Sequence, residues 1–185
     1  MNFTADQTFD RTFVFKTGEY DNCVFENCDF SDRDLSGSGF VDCSFRDCNF
    51  SMATVSKTTF QDVTFTGCKL LGFRFDQCNV VMFSAQFSNC QLDLASFYRL
   101  KIRKQTFSGC SMREVDFSES DLAQATFDDC DLSQAIFDNT ILEKADLRSA
   151  RHFTIDPEKN YVRGAKFALE GLPGLLYNYG LDIEL

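Results

Sequence analysis

The residues of this 185-residue chain with the most chemical potential are nine cysteines, one histidine and 28 acidic side chains. An enzyme needs a nucleophile, an acid–base pair or a metal site held in a cleft. The single histidine, His152, belongs to no catalytic motif, and the sequence has no glycine-rich phosphate loop, serine-centred elbow or HExxH zinc motif. We therefore expect a non-enzymatic protein with no catalytic residue, cofactor or metal.

The acidic residues are more informative than the catalytic residue types. The chain has 18 basic residues against its 28 acids, which gives a formal net charge of −10. An excess of acid opposes direct binding to nucleic acid, which depends on Lys and Arg neutralising phosphates. No apolar run approaches the roughly 18 residues of a membrane span, and the amino terminus lacks an export signal. We expect a cytoplasmic protein that, where DNA is involved, competes with it.

The charges fall in three blocks along the chain. Residues 19–47 hold eight acids and two bases, residues 48–104 three acids and seven bases, and residues 105–147 ten acids and two bases. The basic block ends in Arg99, Lys101, Arg103 and Lys104. The acids of the last block, our candidate partner-binding residues, are Glu114, Asp116, Glu119, Asp121, Asp128, Asp129, Asp131, Asp138, Glu143 and Asp146.

A five-residue repeat determines where these side chains point. From Phe15 to Val80 every fifth residue is apolar, and after a slip of two residues the pattern resumes at Phe87 and runs to Leu147. A second position, two residues earlier, is mostly small and holds all nine cysteines. A period of five fits neither a helix nor a flat strand, so the chain must turn a corner in each unit. This pattern predicts a solenoid with two inward positions per unit and the acids outside.

Individual units also resemble a known family. Residues 28–32 read CDFSD, residues 130–134 read CDLSQ, and residues 145–149 read ADLRS. They resemble the units of the pentapeptide-repeat family, and the resemblance covers residues 13–149 in 27 units. It implies an all-β fold, a right-handed quadrilateral parallel β-helix with four units per coil. Phe or Leu and a small residue would fill its interior.

The cysteines provide a check on four units per coil. If residues twenty apart stack, and residues 81–86 contain a two-residue insertion, six cysteines form one column: Cys28, Cys48, Cys68, Cys90, Cys110 and Cys130. Tetrahedral metal sites need thiolates that converge on one point, whereas stacked side chains all point the same way. Parallel Cβ vectors also oppose disulfide formation. We interpret the cysteines as small buried hydrophobes.

The two ends of the chain depart from the repeat. We expect residues 1–150 to form the β-helix, with residues 1–12 as an amino-terminal cap, and residues 151–185 to form a carboxy-terminal cap. Apolar residues at helical spacing predict a short α-helix that stops at Gly180. The apolar segment of residues 181–185 predicts a final short strand. Quinolone-resistance members of the family dimerise through an element beyond the last coil, so the resemblance implies a homodimer. The residues assigned to that contact are Leu169, Leu172, Leu175, Leu176 and Tyr179.

Two functions are compatible with this fold and charge. The resemblance to the quinolone-resistance type implies a DNA mimic that binds a type II topoisomerase, DNA gyrase or topoisomerase IV, and confers drug resistance. Residues 105–147 carry a net charge of −8 over about 10 Å of coil, where duplex DNA carries about six charges. Members of the quinolone-resistance type can carry long loops that project from the coils. In this chain the repeat is interrupted only near residues 81–86, so the chain resembles the loop-free kind. The alternative is a scaffold or interaction protein unrelated to topoisomerases.

Overall fold

The chain winds into a right-handed quadrilateral parallel β-helix of about six turns, followed by a short helical segment, as the sequence predicts. The computed structural model describes residues 2–182. Its strands are short because every five-residue unit turns a corner. They are β1 (Asn2–Ala5), β2 (Thr8–Phe9), β3 (Gly18–Asp21), β4 (Val24–Glu26), β5 (Gly39–Val41), β6 (Ser44–Arg46), β7 (Thr59–Gln61), β8 (Val63–Thr66), β9 (Ala85–Ser88), β10 (Thr106–Ser108) and β11 (Thr126–Asp128).

Strands one coil apart pair in parallel. β2, β4, β6, β8, β9, β10 and β11 form a seven-stranded sheet, and β1, β3, β5 and β7 form a four-stranded sheet. The register in the regular coils is 20 residues, as where Phe25 lies opposite Phe45. Isolated parallel bridges such as Asp116 to Ile136 continue the same spacing outside the strands. Backbone ladders on four sides confirm four units per coil.

The corners are made by residues in the left-handed backbone conformation. Among residues 2–182, twenty-one residues other than glycine have a positive φ, and in the regular coils they stand two positions after the central inward residue. Many are Asn or Asp, which tolerate this conformation better than most side chains. Most corner N–H groups donate to a carbonyl one coil further on, as from Asp42 to Gln61 at 3.0 Å and from Lys104 to Ala123 at 2.9 Å. The corners therefore stack in straight edges along the rod.

The core is built from columns of stacked aromatic rings. Phe25, Phe45, Phe65, Phe87 and Phe107 form the middle of the longest column, with successive ring centroids 4.8, 5.2, 5.4 and 5.5 Å apart, and Phe9 and Phe127 extend it at the two ends. The planes of successive rings lie within 20° of parallel. The five side chains in the middle are all buried. The predicted stacking of inward residues twenty positions apart is confirmed, including its continuation across the two-residue insertion.

The cysteine column is also present. All nine cysteines are free and buried, and the residues that follow the six aligned ones form one continuous bridge ladder. Cys48, Cys68 and Cys90 each donate an S–H to a carbonyl of the preceding coil, at 3.3 to 3.4 Å. Burial raises the pKa of the Cys43 thiol to about 12. The column cysteines are small packing groups that also link neighbouring coils.

One inward assignment is wrong. The repeat places Val80 inside, but its side chain is 52% exposed, and Val81 and Met82 are also exposed. β8 and β9 pair with an offset of 22 residues, as between Val63 and Ala85, so residues 79–84 accommodate the insertion. Phe83 packs inward against Phe75 instead, with ring centroids 5.6 Å apart. The extra residues bulge outward because the coils on either side keep their register.

The first coil is shorter than the others. β1 and β2 pair with β3 and β4 at an offset of 16 residues, as between Asn2 and Gly18. Phe9 stacks on Phe25 with ring centroids 5.0 Å apart. The amino-terminal segment thus covers the core by adding an incomplete coil to the same two sheets.

At the other end, the ladder continues past residue 150, where the sequence pattern ends. Tyr161 and Lys166 still pair with residues one coil earlier. Short 3₁₀ turns at Leu169–Gly171 and Tyr177–Tyr179 flank the α-helix α1 (Pro173–Leu176). Gly180 ends this segment with a φ of +60°, as predicted. Leu181 and Asp182 belong to no strand, and residues 183–185 of the predicted final strand lie outside the described residues.

Removing one ring from the aromatic column should be costly. We expect Phe65→Ala to lower the free energy of unfolding by about 3–5 kcal/mol, because the buried ring leaves a cavity between two others. Urea denaturation followed by circular dichroism measures this change. Thr66→Ala, an exposed neighbour, is the matched control and should stay within about 0.5 kcal/mol. A loss below about 1 kcal/mol for Phe65→Ala would contradict the packing described here.

The thiols should be inert in the folded protein. We expect Ellman's reagent to modify none of the nine cysteines rapidly under native conditions, because all are buried and burial disfavours the reactive thiolate. In guanidinium chloride all nine should react. Rapid reaction of two or more thiols in the native protein would show that the column is open to solvent.

Candidate protein-binding surface

The rod has four faces, and the position of each surface side chain can be given by the face on which it lies. Face 1 is the seven-stranded sheet, and face 4 comprises the four-stranded sheet together with the later bridges from Lys101 to Tyr161. Face 2 is the bridge ladder from Asp29 to Arg151, and face 3 is the ladder from Asp34 to Ile136. The charged residues of the regular coils lie on one of these faces or on an edge between two of them.

The ten candidate acids are distributed around the rod. All are exposed or partly buried. Their backbones lie on all four faces, because Asp146, Asp131, Asp116 and Asp121 belong to four different ladders. The structure therefore does not bring the ten together in one patch, and sets of neighbouring acids must be identified face by face.

Five of the ten acids are neutralised by arginines. The pairs are Glu119 with Arg99 at 2.7 Å, Asp121 with Arg103 at 3.0 Å, Asp131 with Arg113 at 2.8 Å, Asp146 with Arg148 at 2.7 Å, and Asp129 with Arg151. In four of these pairs the partners lie 18 to 22 residues apart, about one coil. Counting charges in sequence blocks does not reveal such partners. The block from 105 to 147 is thus less acidic at its surface than its composition indicates.

Asp131 is the most heavily bonded acid of the set. It accepts hydrogen bonds from Ser133 and Arg113, and its Oδ1 lies 2.9 Å from Nδ1 of the exposed His152. Partial burial raises the pKa of Asp131, but the hydrogen bonds from Ser133, His152 and Arg113 outweigh it and hold the pKa well below its usual range. Asp131 and His152 therefore form a structural pair at the end of the coils.

Face 3 holds three of the five candidate acids that no base neutralises. Glu114, Asp116 and Asp138 form no ion pair within residues 2–182. Asp116 lies in the face 3 ladder, Asp138 follows the inward Phe137 one coil later, and Glu114 is at the corner that leads onto this face. Face 3 therefore has more unpaired candidate acids than any other face, since Asp128 and Glu143, the other two without an ion pair within residues 2–182, lie on faces 1 and 4.

The same face remains acidic in the last coil. Asp156 and Glu158 lie one coil beyond Ile136 and Asp138, because Asn139 donates to the carbonyl of Lys159 at 3.1 Å. Asp156 is 3.8 Å from the Lys159 ammonium. Sequence patterns did not indicate these two acids, since the pentapeptide signal ends at residue 149. The 20-residue spacing from Asp116 through Ile136 to Asp156 is the signal that could have identified them.

We call Glu114, Asp116, Glu119, Asp138, Asp156 and Glu158 the face 3 acidic strip. It leads directly to the helical segment, where the Tyr179 hydroxyl donates to Glu158 at 2.8 Å. Hydrogen bonds from Arg99 and Tyr98 hold the pKa of Glu119 below its usual value. Glu119 therefore stays ionised at neutral pH, in its pair with Arg99.

The helical segment exposes most of the residues predicted for dimerisation. Leu169 is 74% exposed and Tyr179 53%, and Leu172 and Leu176 are also exposed. Leu175 differs, because it packs against the core. One side of the segment thus covers the open end of the coils while the other presents apolar side chains to solvent.

A cavity of about 410 Å³ lies between the last coil and the helical segment. Its lining residues Arg148, Arg151 and His152 each lie beside an aspartate, Asp146, Asp129 and Asp131 respectively. Residues 2–182 contain no cluster of His, Cys, Asp or Glu arranged to hold a metal ion. Across the same residues no helix has the length and apolar character of a membrane span.

Comparisons with known proteins agree with this architecture. Full-length QnrB1, a plasmid-mediated fluoroquinolone resistance protein, superposes with a TM-score of 0.51 at 18% identity, covering 97% of this chain and 100% of its own. HetL, a pentapeptide repeat protein involved in heterocyst differentiation regulation in the cyanobacterium Nostoc sp. strain PCC 7120, gives a TM-score of 0.34 at 14% identity, covering 80% and 87%. No curated protein sequence matches significantly.

The family itself is established from the sequence side. A family model described as a pentapeptide repeat region matches residues 19–84 and 80–151, well over half of the chain. Those residues are the ones that form the regular coils and their aromatic and cysteine columns. The chain therefore belongs to the pentapeptide-repeat family.

Proposed function

We propose that this protein is a non-enzymatic binder of a type II topoisomerase, DNA gyrase or topoisomerase IV, and that it competes with DNA through the face 3 acidic strip. The observation that carries the proposal is the position of that strip, a set of acids on one side of a rigid rod. QnrB1, whose fold is similar, is described as a fluoroquinolone resistance protein. Protection from quinolones is therefore the phenotype to examine.

The charge of the strip is of the right order for a DNA mimic. Its six acids, less the partners Arg99 and Lys159, leave a net charge of −4. They occupy three successive coils, so they span about 10 Å at about 4.8 Å per coil. Duplex DNA of that length carries about six charges, of which about half face any one side. A basic groove that fits DNA would meet a comparable number of charges here.

A homodimer would double this surface. Because Tyr179 contacts Glu158, the apolar residues of the helical segment border the end of the acidic strip. Clustered exposed apolar side chains mark interaction sites, and a two-fold contact at this end would place two strips on either side of the axis. We include this carboxy-terminal dimer in the proposal.

A scaffold role unrelated to topoisomerases is the second candidate. The observation that favours it is the pairing of Asp121, Asp129, Asp131 and Asp146 with arginines, which leaves the remaining faces with mixed charge. Such faces suit a partner whose charges are also mixed. The test of the first proposal separates the two roles, because a scaffold protein would not respond to gyrase.

The first test uses two charge-reversed variants of equal net charge. Glu114→Lys with Asp138→Lys reverses the strip, whereas Asp128→Lys with Glu143→Lys reverses acids on faces 1 and 4 that also lack ion pairs. In a gyrase supercoiling assay, with and without a quinolone, we expect wild type to inhibit supercoiling or relieve drug inhibition. The strip variant should be at least about tenfold weaker, a loss of about 1.4 kcal/mol or more.

The second variant should retain wild-type potency within about twofold, because its mutations lie outside the strip. Equal losses in both variants would indicate a general charge effect and count against face 3. No response of gyrase to the wild-type protein would favour the scaffold role.

The dimer is tested by sedimentation. We expect wild type to sediment as a dimer in about 0.5 M salt, where exposed charge interactions are screened, and Leu172→Glu with Leu176→Glu to sediment as a monomer because charges replace the apolar contact. Leu94→Glu, which changes an exposed leucine on the side of the rod, should remain dimeric. A monomeric wild-type protein would remove the dimer from the proposal.

A further inference from the structure

The edge between faces 4 and 1 changes its charge along the rod. Eight corner residues with positive φ form this edge, in the order Asp6, Asn22, Asp42, Asp62, Lys104, Gln124, Lys144 and Gly164. We call it the mixed-charge edge. Its amino-terminal half carries only negative charge, and its carboxy-terminal half only positive charge. The residue 79–84 bulge lies between Asp62 and Lys104, at the centre of the edge.

The charges of this edge are available for an external partner. Asp42, Asp62, Lys104 and Lys144 are all exposed, and none of them forms an ion pair within residues 2–182. The adjacent Arg103 differs, because Asp121 lies 3.0 Å from its guanidinium. The Ser84 hydroxyl donates to Asp62 Oδ1 at 2.9 Å, which ties the bulge to the acidic half.

The centre of the edge is apolar. Val80, Val81 and Met82 are consecutive exposed residues of the bulge, and Val81 is 89% exposed. The bulge interrupts the ladder of face 4, where β7 is the last paired strand before Lys101. Consecutive exposed apolar side chains flanked by charge are typical of an interaction site.

We infer that a second copy of this chain binds here, antiparallel to the first. A two-fold axis through the bulge would place the two bulges in contact and Asp62 of each copy opposite Lys104 of the other. One coil further out, Asp42 would face Gln124, and at the next coil Asn22 would face Lys144. No like charges meet along the edge in this arrangement. A two-fold contact needs such self-complementarity. An anionic lipid or nucleic acid surface fits less well, because the acids of the same edge would repel it.

The contact differs from the carboxy-terminal dimer and does not depend on topoisomerase binding. It involves one edge and one bulge, so it buries less than the roughly 800 Å² per partner of a standard interface. Association through it is therefore weak and is reduced by salt. If both contacts form, copies join into open chains, since each copy then carries two separate two-fold interfaces.

The experiment isolates the edge by using the Leu172→Glu, Leu176→Glu protein, in which the other contact is removed. Sedimentation velocity is measured at about 100 μM protein in about 50 mM and about 500 mM salt, which brackets strong and weak screening. We expect dimers at low salt and at least a tenfold weaker association at high salt. A monomer at both salt concentrations would overturn the inference. If this variant does not fold, the wild-type protein is measured instead, and we expect its sedimenting mass to be larger at low salt than at high salt.

A charge swap then tests the pairing itself. Asp62→Lys alone and Lys104→Asp alone should each weaken association at least tenfold, whereas the two together should restore it. Both residue types already occur at this corner position, so the left-handed backbone accepts either. Val81→Asp should also weaken association, and Asp32→Lys on the opposite edge should leave it unchanged. Failure of the double swap to restore association would overturn the pairing, even if the single changes weaken it.

Discussion

The structure depends on the stacking of each coil on the one before it. One coil of twenty residues has no core of its own, because its inward side chains make their main contacts with the same positions of its neighbours. Backbone hydrogen bonds also run between coils, as from Asp42 to Gln61. Ordering the backbone of a single coil therefore costs more than that coil alone can recover. The ends need covers for the same reason, which the incomplete first coil and the helical segment provide.

This constraint leaves the outward positions free to vary. The corners keep one backbone conformation whether they hold Asp42, Lys104 or Leu94, so the surface is an array of columns whose chemistry can change without altering the core. Charged side chains on adjacent coils come within hydrogen-bonding distance, so ion pairs such as Arg99 with Glu119 form between residues about one coil apart. The face 3 acidic strip and the mixed-charge edge both consist of residues that are distant in sequence and stack on successive coils.

The sequence predicted most of the fold, because every core contact repeats at a fixed spacing. The phenylalanine column, the cysteine column and the stop at Gly180 were all predictable. Val80 was not, since a period carried across an insertion cannot show which residues will bulge and which will re-enter the core. The coil beyond residue 150 could not be predicted for a related reason. The five-residue period places His152 inside after Leu147, but His152 is exposed and Phe153 is buried instead.

The binding surface was only partly predictable. Composition identified the acidic block, but it could not show that Asp121, Asp129 and Asp131 have arginine partners about one coil away. Nor could it add Asp156 and Glu158 to the acids of face 3, because the pentapeptide pattern ends before them. These features depend on which residues stack, and stacking changes wherever the register shifts.

The most direct measurement of the central claim is a competition for gyrase. A fluorescent DNA duplex is bound to the enzyme, and its anisotropy is followed as the protein is added. A rod that occupies the DNA-binding surface through face 3 should displace the duplex completely and lower the anisotropy to that of free DNA. A complex in which gyrase holds the protein and the duplex together, with the anisotropy unchanged, would contradict DNA mimicry.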